Sequence, residues 1–462
     1  MKRLSIICFI VFSSIICKTQ VFVQDSIALV ALYDSTNGDN WYNNLNWLDE
    51  NLPVGNWYGI EIENYSVVQI NLSSNNLVGN IPSEIGNLNS LSILDVSYNS
   101  ILSIPVSIGN LFSLEEIDLS LNDVSFLPSS IGNCSNLKRL QLNVNNLQEI
   151  PAEIGDLTNL ERLILGGNNI NVLPDEIFDL TSLRYLNFAA NGMDTIPSLI
   201  GNLVNLENFQ FFNNHFTFIP AELGNCISLE YINGYGNDID SLPLTLLNLP
   251  YIETLFLAYN SLTFDDIEPL VSIPGFEYWL QDSIGVSIDT TVFIDTTFYM
   301  EIHTGGEFNN YQWKKDNVII EGATNNYLEL SNITLADSGK YNCEITNDVA
   351  AGLTLHSRLI NLHVEVYTQI DKSIYNPNSI SLNVFPNPAF DRISLKIDNG
   401  FPLNEYEILL FNQYGKMIKK FSLETLNRSG LNISNLNRGV YYIQVKDSGN
   451  RCLSKAEKLI KL

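Results

Sequence analysis

The sequence predicts an α/β solenoid of tandem repeats, followed by two smaller all-β sandwich domains. A proline recurs every 23 residues from Pro82 to Pro243, and an asparagine keeps the same interval from Asn99 to Asn260. Such an interval, held through eight consecutive units, is typical of a repeat array. From Ser283 onward, short alternating apolar segments replace the 23-residue interval, which predicts β-sandwich structure there.

Residues 1–24 have the composition of a secretory signal peptide. Lys2 and Arg3 precede an apolar run from Leu4 to Cys17, which is too short to span a bilayer in the usual way. We expect its removal between Thr19 and Gln24. A lipid anchor on the last cysteine of the run is the less favoured alternative, because the residue before that cysteine is bulky.

Residues 25–66 are polar and aromatic, with tryptophans at Trp41, Trp47 and Trp57. A solenoid needs the exposed core of its first unit covered, and three large rings can do this. The acidic segment from Asp34 to Asp39 lacks the carboxylate spacing of the known twelve-residue calcium loop, so a turn is favoured over a calcium site.

Each repeat in residues 67–262 follows the pattern L-x-x-L-x-L-x-x-N, as between Leu137 and Asn145. The alternation predicts a short strand with one buried face, and the asparagine amide can bond backbone groups at the bend. Pro151 then suits the first position of a helical turn, and Gly155 suits a left-handed end to it. Neither element can bury its apolar side alone, which favours stacked units. The asparagines assigned this structural role are Asn99, Asn122, Asn145, Asn168, Asn191, Asn214, Asn237 and Asn260.

This pattern resembles the leucine-rich repeat family, in its variety of 23 to 24 residues. The resemblance implies a curved solenoid with a parallel sheet on its concave face, where partners of this family usually bind. Residues 25–66 resemble the N-terminal cap of plant-type members without its paired cysteines. Asp266 stands where the next proline is expected, so residues 263–282 are interpreted as a closing cap.

Residues 283–366 contain Trp313 and, nearly thirty residues later, Tyr341 two positions before Cys343. This resembles an immunoglobulin-like sandwich, which implies a core tryptophan and a corner tyrosine. The segment from Phe298 to Ile302, where a first cysteine is expected, has none. We therefore expect Cys343 to be buried in a domain that relies on packing rather than on a cross-link.

Residues 367–380 are expected to form a linker, and residues 381–462 a small antiparallel sandwich. The last segment resembles the C-terminal sorting domain of type IX secretion. That resemblance implies export across the outer membrane of a Gram-negative bacterium, through the type IX machinery, followed by attachment to the cell surface or release. The residues that carry it are Pro386, Asn387, Pro388, Gly415, Lys416, Gly439, Tyr441 and Lys458.

Charge is distributed unevenly along the chain. Residues 25–380 hold 9 lysines and arginines against 44 acidic residues, a net of −35, whereas residues 381–462 hold 12 against 7, a net of +5. An acidic surface disfavours nucleic acid and anionic membranes as partners. Such a surface suits basic partners or divalent cations, and solubility of an exported protein is the favoured explanation.

The sequence shows no pattern typical of a catalytic or metal site. Its four histidines have no ligand-like spacing, and no nucleophile elbow or phosphate loop is present. Cys134 and Cys226 hold equivalent positions four repeats apart, about 19 Å if strands are about 4.8 Å apart, which is too far for a disulfide. We expect no enzyme activity and no cofactor. A hydrolase that uses an acidic residue such as Asp118 is the least favoured alternative.

The residues flanking the middle leucine, and those before the asparagine, are expected on the concave face. In the late repeats they are aromatic rings and amides, which suit a protein-binding or sugar-binding face. The alternative is that the rings only pair with one another and stabilise the sheet. We expect Gly234, which replaces an inward leucine, to thin the core nearby. The candidate binding residues are Tyr185, Gln210, Phe212, Tyr231, Asn233, Tyr235, Phe256 and Tyr259.

Together these features predict a secreted, surface-displayed binding or adhesion protein with no integral membrane segment. Its partner would be an extracellular protein or glycan held on the concave face. A structural component of the cell envelope or extracellular matrix is the alternative.

Overall fold

The computed structural model describes residues 21–366, 381–385, 387, 389, 392–398, 406–412, 416–422, 431–447 and 457–461. These residues form two compact units. The first runs to Ile284 and includes His303–Tyr311 and Glu344–His356; the second contains Gly285–Ile302, Gln312–Cys343 and Ser357–Leu462. Residues 1–20 of the expected signal peptide and the whole expected linker lie outside the described residues.

The first unit begins with helix α1 (Val23–Ser35). Val21 is already buried, and the Phe22 N–H donates to the Tyr65 carbonyl at 3.0 Å. The rings of Trp41, Trp47 and Trp57 are buried next to one another after the helix, with centroids 4.8 and 4.9 Å apart.

From the third repeat onward each repeat supplies one three-residue strand, and the first two repeats supply two strands each. In chain order the strands are β1 (Ile60–Glu63), β2 (Ser66–Asn71), β3 (Val78–Asn80), β4 (Ile93–Asp95), β5 (Ser100–Ser103), β6 (Glu116–Asp118), β7 (Arg139–Gln141), β8 (Arg162–Ile164), β9 (Tyr185–Asn187), β10 (Asn208–Gln210), β11 (Tyr231–Asn233), β12 (Thr254–Phe256) and β13 (Phe276–Glu277). Strands β3 and β5 form a separate parallel pair. The others form one eleven-stranded sheet, parallel throughout from β2 to β13. The middle residue of each short repeat strand from β4 to β12 is buried, as the alternation predicts.

A five-residue 3-10 helix follows each repeat proline. These helices are Ser83–Asn87, Val106–Asn110, Ser129–Asn133, Ala152–Asp156, Asp175–Asp179, Ser198–Asn202, Ala221–Asn225 and Leu244–Asn248. The proline precedes the first helical position instead of occupying it, contrary to the sequence prediction. Pro82, for example, is extended, and its carbonyl accepts from the Ile85 N–H at 3.1 Å. The fixed φ of proline therefore sets the entry into the turn.

The repeat glycines do not adopt the left-handed conformation that the sequence predicted. Gly86, Gly109, Gly132 and Gly155 are not among the residues with positive φ. A Cβ on Gly86 would lie 2.4 Å from the Ser107 carbonyl oxygen in the next repeat. The glycine is needed because neighbouring helical turns stack at backbone contact distance.

The repeat asparagines form a ladder of buried hydrogen bonds. The Asn168 amide nitrogen donates to the carbonyls of Leu142 at 2.9 Å and Leu165 at 2.8 Å. Its side-chain oxygen accepts from the Leu147 N–H at 3.0 Å. Each asparagine thus satisfies backbone groups in its own repeat and in the preceding one, which joins the stacked units.

The core beside Gly234 is filled, contrary to the thinning that the sequence suggested. A Cβ on Gly234 would lie 2.5 Å from the Phe211 ring and 2.9 Å from Leu257. Phe211 is fully buried and packs on Phe209 and Phe216, with centroids 4.8 and 5.7 Å away. The missing leucine makes room for a larger ring from the neighbouring repeat.

The closing cap contains helix α2 (Phe264–Ile267), a 3-10 turn (Glu268–Leu270) and β13. The sheet therefore extends one strand beyond Leu262, where the sequence pattern stops. Gln281 takes the place of the next ladder asparagine: it donates to the Leu257 carbonyl at 3.0 Å and accepts from the Leu262 N–H at 3.0 Å. It follows Asn260 by 21 residues, so the 23-residue interval misses it.

Within the first unit, the Glu268 carboxylate binds two further segments. It accepts from the N–H groups of Glu307 at 3.0 Å and Phe308 at 3.3 Å, and from the amide of Asn347. A Cβ on Gly306 would lie 2.7 Å from the same carboxylate, so a glycine permits this approach. The closing cap is thus joined to both segments through one side chain.

The region after the cap is rich in β-structure. Its strands are β14 (Ile288–Phe293), β15 (Phe298–Glu301), β16 (Asn309–Lys315), β17 (Val318–Ile319), β18 (Tyr327–Leu330), β19 (Gly339–Asn347), β20 (Thr354–His356) and β21 (Ile360–Glu365), with a 3-10 turn at Leu335–Asp337. Six of them form one sheet, and β15 and β18 form a second. Trp313 is fully buried and donates to the Asn325 carbonyl at 3.0 Å. The Tyr341 hydroxyl donates to the Asp337 carbonyl at 2.7 Å, and Cys343 is a buried thiol.

The last strands are β22 (Ser381–Phe385), β23 (Arg392–Asp398), β24 (Tyr406–Asn412), β25 (Met417–Ser422), β26 (Leu431–Asn432), β27 (Gly439–Asp447) and β28 (Glu457–Lys461). They form two antiparallel sheets over a core that includes Ile393, Ile408 and Leu459. The Asn387 side chain donates to the Lys458 carbonyl at 2.6 Å and accepts from the Ile460 N–H at 2.8 Å. The predicted motif thus holds the final strand in place.

The other sorting residues have separate positions. The Tyr441 hydroxyl donates to the Asn437 carbonyl at 2.9 Å, beside Gly439 at the start of β27. The Lys416 N–H closes the β24–β25 turn on Asn412 at 3.0 Å. Pro386, Pro388 and Gly415 fall outside the described residues.

Candidate binding face

The exposed face of the eleven-stranded sheet carries three lines of side chains, called here the sheet face. The leading row precedes the buried middle residue of each strand and the trailing row follows it. The lateral row lies one position before the strand. In register, the leading row includes Glu116, Arg139, Arg162, Tyr185, Asn208, Tyr231 and Thr254, and the trailing row includes Asp118, Gln141, Ile164, Asn187, Gln210, Asn233, Phe256 and Glu277. The lateral row includes Glu115, Lys138, Glu161, Arg184, Glu207, Glu230 and Glu253.

In the early repeats the charges on this face pair with one another. Lys138 lies 2.8 Å from Glu115, and Arg139 lies 2.5 Å from Glu116. The hydrogen bond that Lys138 donates to the Glu115 carboxylate raises the pKa of Lys138. These pairs are exposed, so each stabilises the fold little, but together they neutralise Glu115 and Glu116.

Asp118, the acidic residue named for the hydrolase alternative, has a structural position. One carboxylate oxygen accepts from the Ser120 N–H at 2.9 Å and the Ser120 hydroxyl at 2.6 Å. The other accepts from the Gln141 amide at 2.8 Å. Its oxygens therefore hold the bend after β6 and the neighbouring strand.

The middle of the face carries side-chain amides. Asn187 donates to Gln210 at 3.2 Å, and Gln210 donates to Asn208 at 2.9 Å. Asn233 lies in the same trailing row and approaches the Tyr231 hydroxyl at 3.4 Å. All are partly exposed, so their remaining donors and acceptors can reach a ligand.

Four aromatic side chains at the end of the sheet face form a continuous group, called here the ring patch and counted with that face: Phe256 of the trailing row, and Tyr235, Tyr259 and Trp279, which lie two or three positions beyond the strands β11, β12 and β13. The Tyr235 centroid lies 5.4 Å from that of Phe256 and 4.9 Å from that of Tyr259. Trp279 completes the group at 5.8 Å from Phe256 and 5.7 Å from Tyr259. Tyr259 keeps 45% of its surface exposed and Trp279 keeps 42%, so the paired rings still present apolar area to solvent.

Sequence reasoning named three of these rings but assigned Trp279 to the cap. Trp279 joins the patch because β13 pairs with β12 and places Glu277 beside Phe256. Glu277 accepts a hydrogen bond from the Trp279 indole at 3.2 Å. The only available signal was the cluster of aromatic residues around Trp279, since the repeat pattern had already ended.

The other predicted binding residues are not members of the ring patch, although the Tyr235 N–H donates to the Asn233 side chain at 3.1 Å. The Tyr185 ring lies under the Arg162 guanidinium, 3.7 Å from its centroid, and β9 is three strands from β12. Phe212 holds the position equivalent to Tyr235 one repeat earlier and is partly exposed. Gln210, Tyr231 and Asn233 lie on β10 and β11, between these two groups.

The buried carboxyl groups lie elsewhere and have structural contacts. Burial raises the pKa of Asp25, whose carboxylate accepts from the Val67 N–H at 2.8 Å. Burial also raises the pKa of Asp266, which caps α2 through Thr263. Within the described ranges, no three histidine, cysteine or acidic side chains are grouped to hold a metal ion. What the sheet face offers is flat apolar area with directional hydrogen bonds beside it.

Known families match the repeat region and the C-terminal region of the chain. Residues 114–230 match the family described as leucine-rich repeat region, and residues 66–88 and 90–111 match the leucine rich repeat. Residues 383–461 match the secretion system C-terminal sorting domain. The chain carries leucine-rich repeats and a type IX sorting domain. Both sequence predictions are confirmed, and no catalytic family is indicated.

Solved structures that match part of the chain include the leucine-rich repeat ectodomain of the plant membrane receptor kinase GASSHO1/SCHENGEN3 from Arabidopsis thaliana, in complex with CASPARIAN STRIP INTEGRITY FACTOR 2. It is 26% identical, with a TM-score of 0.47, over 58% of this chain and 36% of that one. A leucine-rich repeat protein of Leptospira interrogans is 24% identical, with a TM-score of 0.30, over 47% of this chain and 70% of that one. The chain thus spans about a third of the length of the plant receptor ectodomain.

A search of curated protein sequences found no match. The sorting domain indicates export by type IX secretion to the cell surface or extracellular space in Bacteroidetes. In the part of the chain that the structure describes, no helix is both long and apolar enough to cross a bilayer.

Proposed function

We propose that the protein is displayed on the outer cell surface after export and binds an extracellular protein or glycan with its sheet face. The observation that carries this proposal is the ring patch, where four adjacent rings at the end of the sheet are partly buried or exposed and none is fully covered. Rigid aromatic side chains lose little conformational entropy on binding, and the amides of Asn187, Gln210 and Asn233 add directional contacts. Leucine-rich repeats mediate protein binding, which supports the same role.

Pairing between the rings also stabilises the sheet, but stability alone does not require exposed rings. Each pair contributes about 0.5–1.5 kcal/mol beyond its burial. The two repeats before the ring patch contain a second aromatic group, Phe188, Phe209, Phe211 and Phe216, whose members are almost fully buried. The core therefore already has an aromatic cluster, and the ring patch adds exposed area that a partner can cover.

The β-rich region from Ser283 to Val366 is proposed to be an immunoglobulin-like module that serves as a spacer or a second binding surface. The buried Trp313 and the hydrogen bond from Tyr341 to Asp337 support this interpretation. Both contacts are typical of that sandwich: a core tryptophan, and a tyrosine that bonds backbone a few residues upstream.

The test is binding of the full chain to an array of glycans and extracellular proteins. A Tyr235→Ala, Phe256→Ala variant removes half of the ring patch. The matched control is Phe112→Ala, Tyr251→Ala, which removes two exposed rings that lie before β6 and β12 and off the sheet face. We expect saturable binding that the first variant loses and the control keeps.

Two results would overturn the proposal. Binding that the ring variant keeps, while it remains folded, would place the partner on another surface. Absence of binding, together with concentration-dependent self-association in sedimentation, would favour a structural component of the envelope or matrix.

A further inference from the structure

The sheet face changes its charge balance after Arg184. No lysine or arginine occurs between Arg184 and Lys314, whereas residues 185–282 contain twelve aspartates and glutamates. The late repeats and the closing cap therefore lack the cations that neutralise acidic side chains in the early repeats. A surface of this kind attracts a cationic partner and repels an anionic one.

Three of these carboxylates belong to the sheet face at or beside the ring patch. Glu277 is in register with Phe256 and accepts from the Trp279 indole at 3.2 Å. Glu230 and Glu253 continue the lateral row and are exposed. Earlier members of that row, Glu115 and Glu207, pair with Lys138 and Arg184 of neighbouring repeats. Glu230 and Glu253 have no lysine or arginine in a neighbouring repeat, so a ligand can supply the cation that pairs with them.

The sheet face itself shows how a cation can be held. The Arg162 guanidinium stacks over the Tyr185 ring at 3.7 Å, across two adjacent strands. Such a contact stabilises an arginine on an aromatic face, and more so when carboxylates lie nearby. The ring patch offers four rings and the Glu277 carboxylate, but no arginine of this chain between positions 185 and 313.

We propose that the ring patch binds an arginine-bearing extended segment of a protein partner. This rests on the proposed function and names the chemistry of its ligand. An arginine side chain would stack on the rings and approach Glu277, while other basic residues of the segment approach Glu253 and Glu230. The amides of Asn233 and Gln210 are in register along the trailing row and can bond the peptide groups of that segment. A neutral sugar would make no use of the carboxylates.

The test uses the full chain and three labelled decapeptides of Gly and Ser with three guest residues each. The guest is arginine, its uncharged isostere citrulline, or glutamate. Affinity is measured by fluorescence anisotropy at two salt concentrations. We expect binding of the arginine peptide that weakens as salt rises, and at least about tenfold weaker binding of the other two.

Substitutions in this chain test whether the arginine peptide binds at the ring patch. Glu230→Gln, Glu253→Gln, Glu277→Gln should weaken binding of the arginine peptide about tenfold, and Tyr235→Ala, Phe256→Ala should do the same. The control Glu153→Gln, Glu176→Gln, Glu222→Gln removes three exposed carboxylates from the 3-10 turns, with the same change in net charge. It should leave the affinity within about twofold.

Equal binding of the citrulline peptide, no binding of the arginine peptide, or an equal loss in the control would overturn the inference. Its failure is distinguishable from that of the proposed function. A glycan captured on the array, lost in the ring variant and kept in the triple glutamine variant, would uphold a binding face and refute an arginine ligand.

Discussion

The Arg162 guanidinium lies 3.7 Å from the centre of the Tyr185 ring, on the neighbouring strand. This contact marks a division of the sheet face. Before it, acidic and basic side chains pair across adjacent repeats, as Glu116 does with Arg139. After it, the chain places amides, exposed rings and carboxylates without a lysine or arginine until Lys314. The solenoid core is continuous across the division, so the difference between the two halves lies in the exposed side chains.

Asn168→Ala should destabilise the solenoid strongly. The substitution leaves three buried backbone groups of Leu142, Leu147 and Leu165 without this partner, and each such group costs about 1–3 kcal/mol. We expect a loss of about 3 kcal/mol or more. The control is Asn159→Ala, since Asn159 makes one exposed bond to the Ser135 carbonyl and should cost about 0.5 kcal/mol or less. Urea denaturation compares the stability of the two variants. Equal shifts of their midpoints would refute the claim that the buried asparagine hydrogen bonds stabilise the solenoid.

Gly234→Leu restores the common repeat residue, yet it should destabilise the protein. Its side chain would enter space that the Phe211 ring occupies, at a cost of about 1–3 kcal/mol. Phe211→Leu in the same chain should recover part of that loss, although Phe211→Leu alone opens a cavity. Thermal unfolding of the unmodified protein, the two single variants and the double variant gives the coupling free energy between the two positions. Additive effects of the two substitutions would show that the residues do not compete for one space.

The two buried thiols should make the solenoid less stable in alkali. Burial raises the pKa of Cys134 to about 11 and of Cys226 to about 12. The unfolded thiols, at 9.0, lose protons first. The stabilisation is therefore complete below pH 9 and is lost as pH rises through the folded pKa values, by about 2 kcal/mol per thiol near pH 10.5. Urea denaturation at pH 8 and at pH 10.5 measures this loss of unfolding free energy. The double variant Cys134→Ala, Cys226→Ala should lack the part of the loss that the two thiols cause. If the double variant loses as much stability between pH 8 and pH 10.5 as the unmodified protein, other groups cause the loss.

Asn387→Ala should loosen the final strand of the sorting domain. Both side-chain bonds to β28 are lost, at Lys458 and Ile460, with a cost of about 1–3 kcal/mol. The Ile460 amide should then exchange its hydrogen faster, and less protein should appear outside a Bacteroidetes host. Lys458→Ala is the control, because the bond uses the Lys458 backbone carbonyl. Equal protection of the Ile460 amide in all three proteins would contradict the assignment.

The sequence predicted the solenoid well because backbone geometry constrains its repeated residues. The asparagines recur because each satisfies buried backbone groups. The three leucine positions of the repeat pattern recur because one face of each strand is buried. A left-handed turn was predicted at the repeat glycine, with Gly155 as the example, but Gly155 and the equivalent Gly86 have no positive φ and instead pack closely on the next repeat. Glycine suits a left-handed φ and close backbone contact equally, and only the three-dimensional stacking against Ser107 distinguishes them.

The candidate site was only partly predictable. Periodicity placed Tyr235, Phe256 and Tyr259 on one face. It could not place Trp279 and Gln281, because the last unit is shorter than the 23-residue interval. Nor could it show that Tyr185 is covered by Arg162, since a contact between adjacent strands depends on side-chain direction.

Acrylamide quenching of tryptophan fluorescence tests the central claim most directly. Of the five tryptophans, Trp279 is exposed, whereas Trp41, Trp47, Trp57 and Trp313 are buried. The quenchable emission of the full chain should therefore come from Trp279 and disappear in Trp279→Phe. If the ring patch is the binding face, addition of the partner captured on the array should protect that emission from acrylamide. A partner that binds saturably and leaves the quenching unchanged would contradict the account.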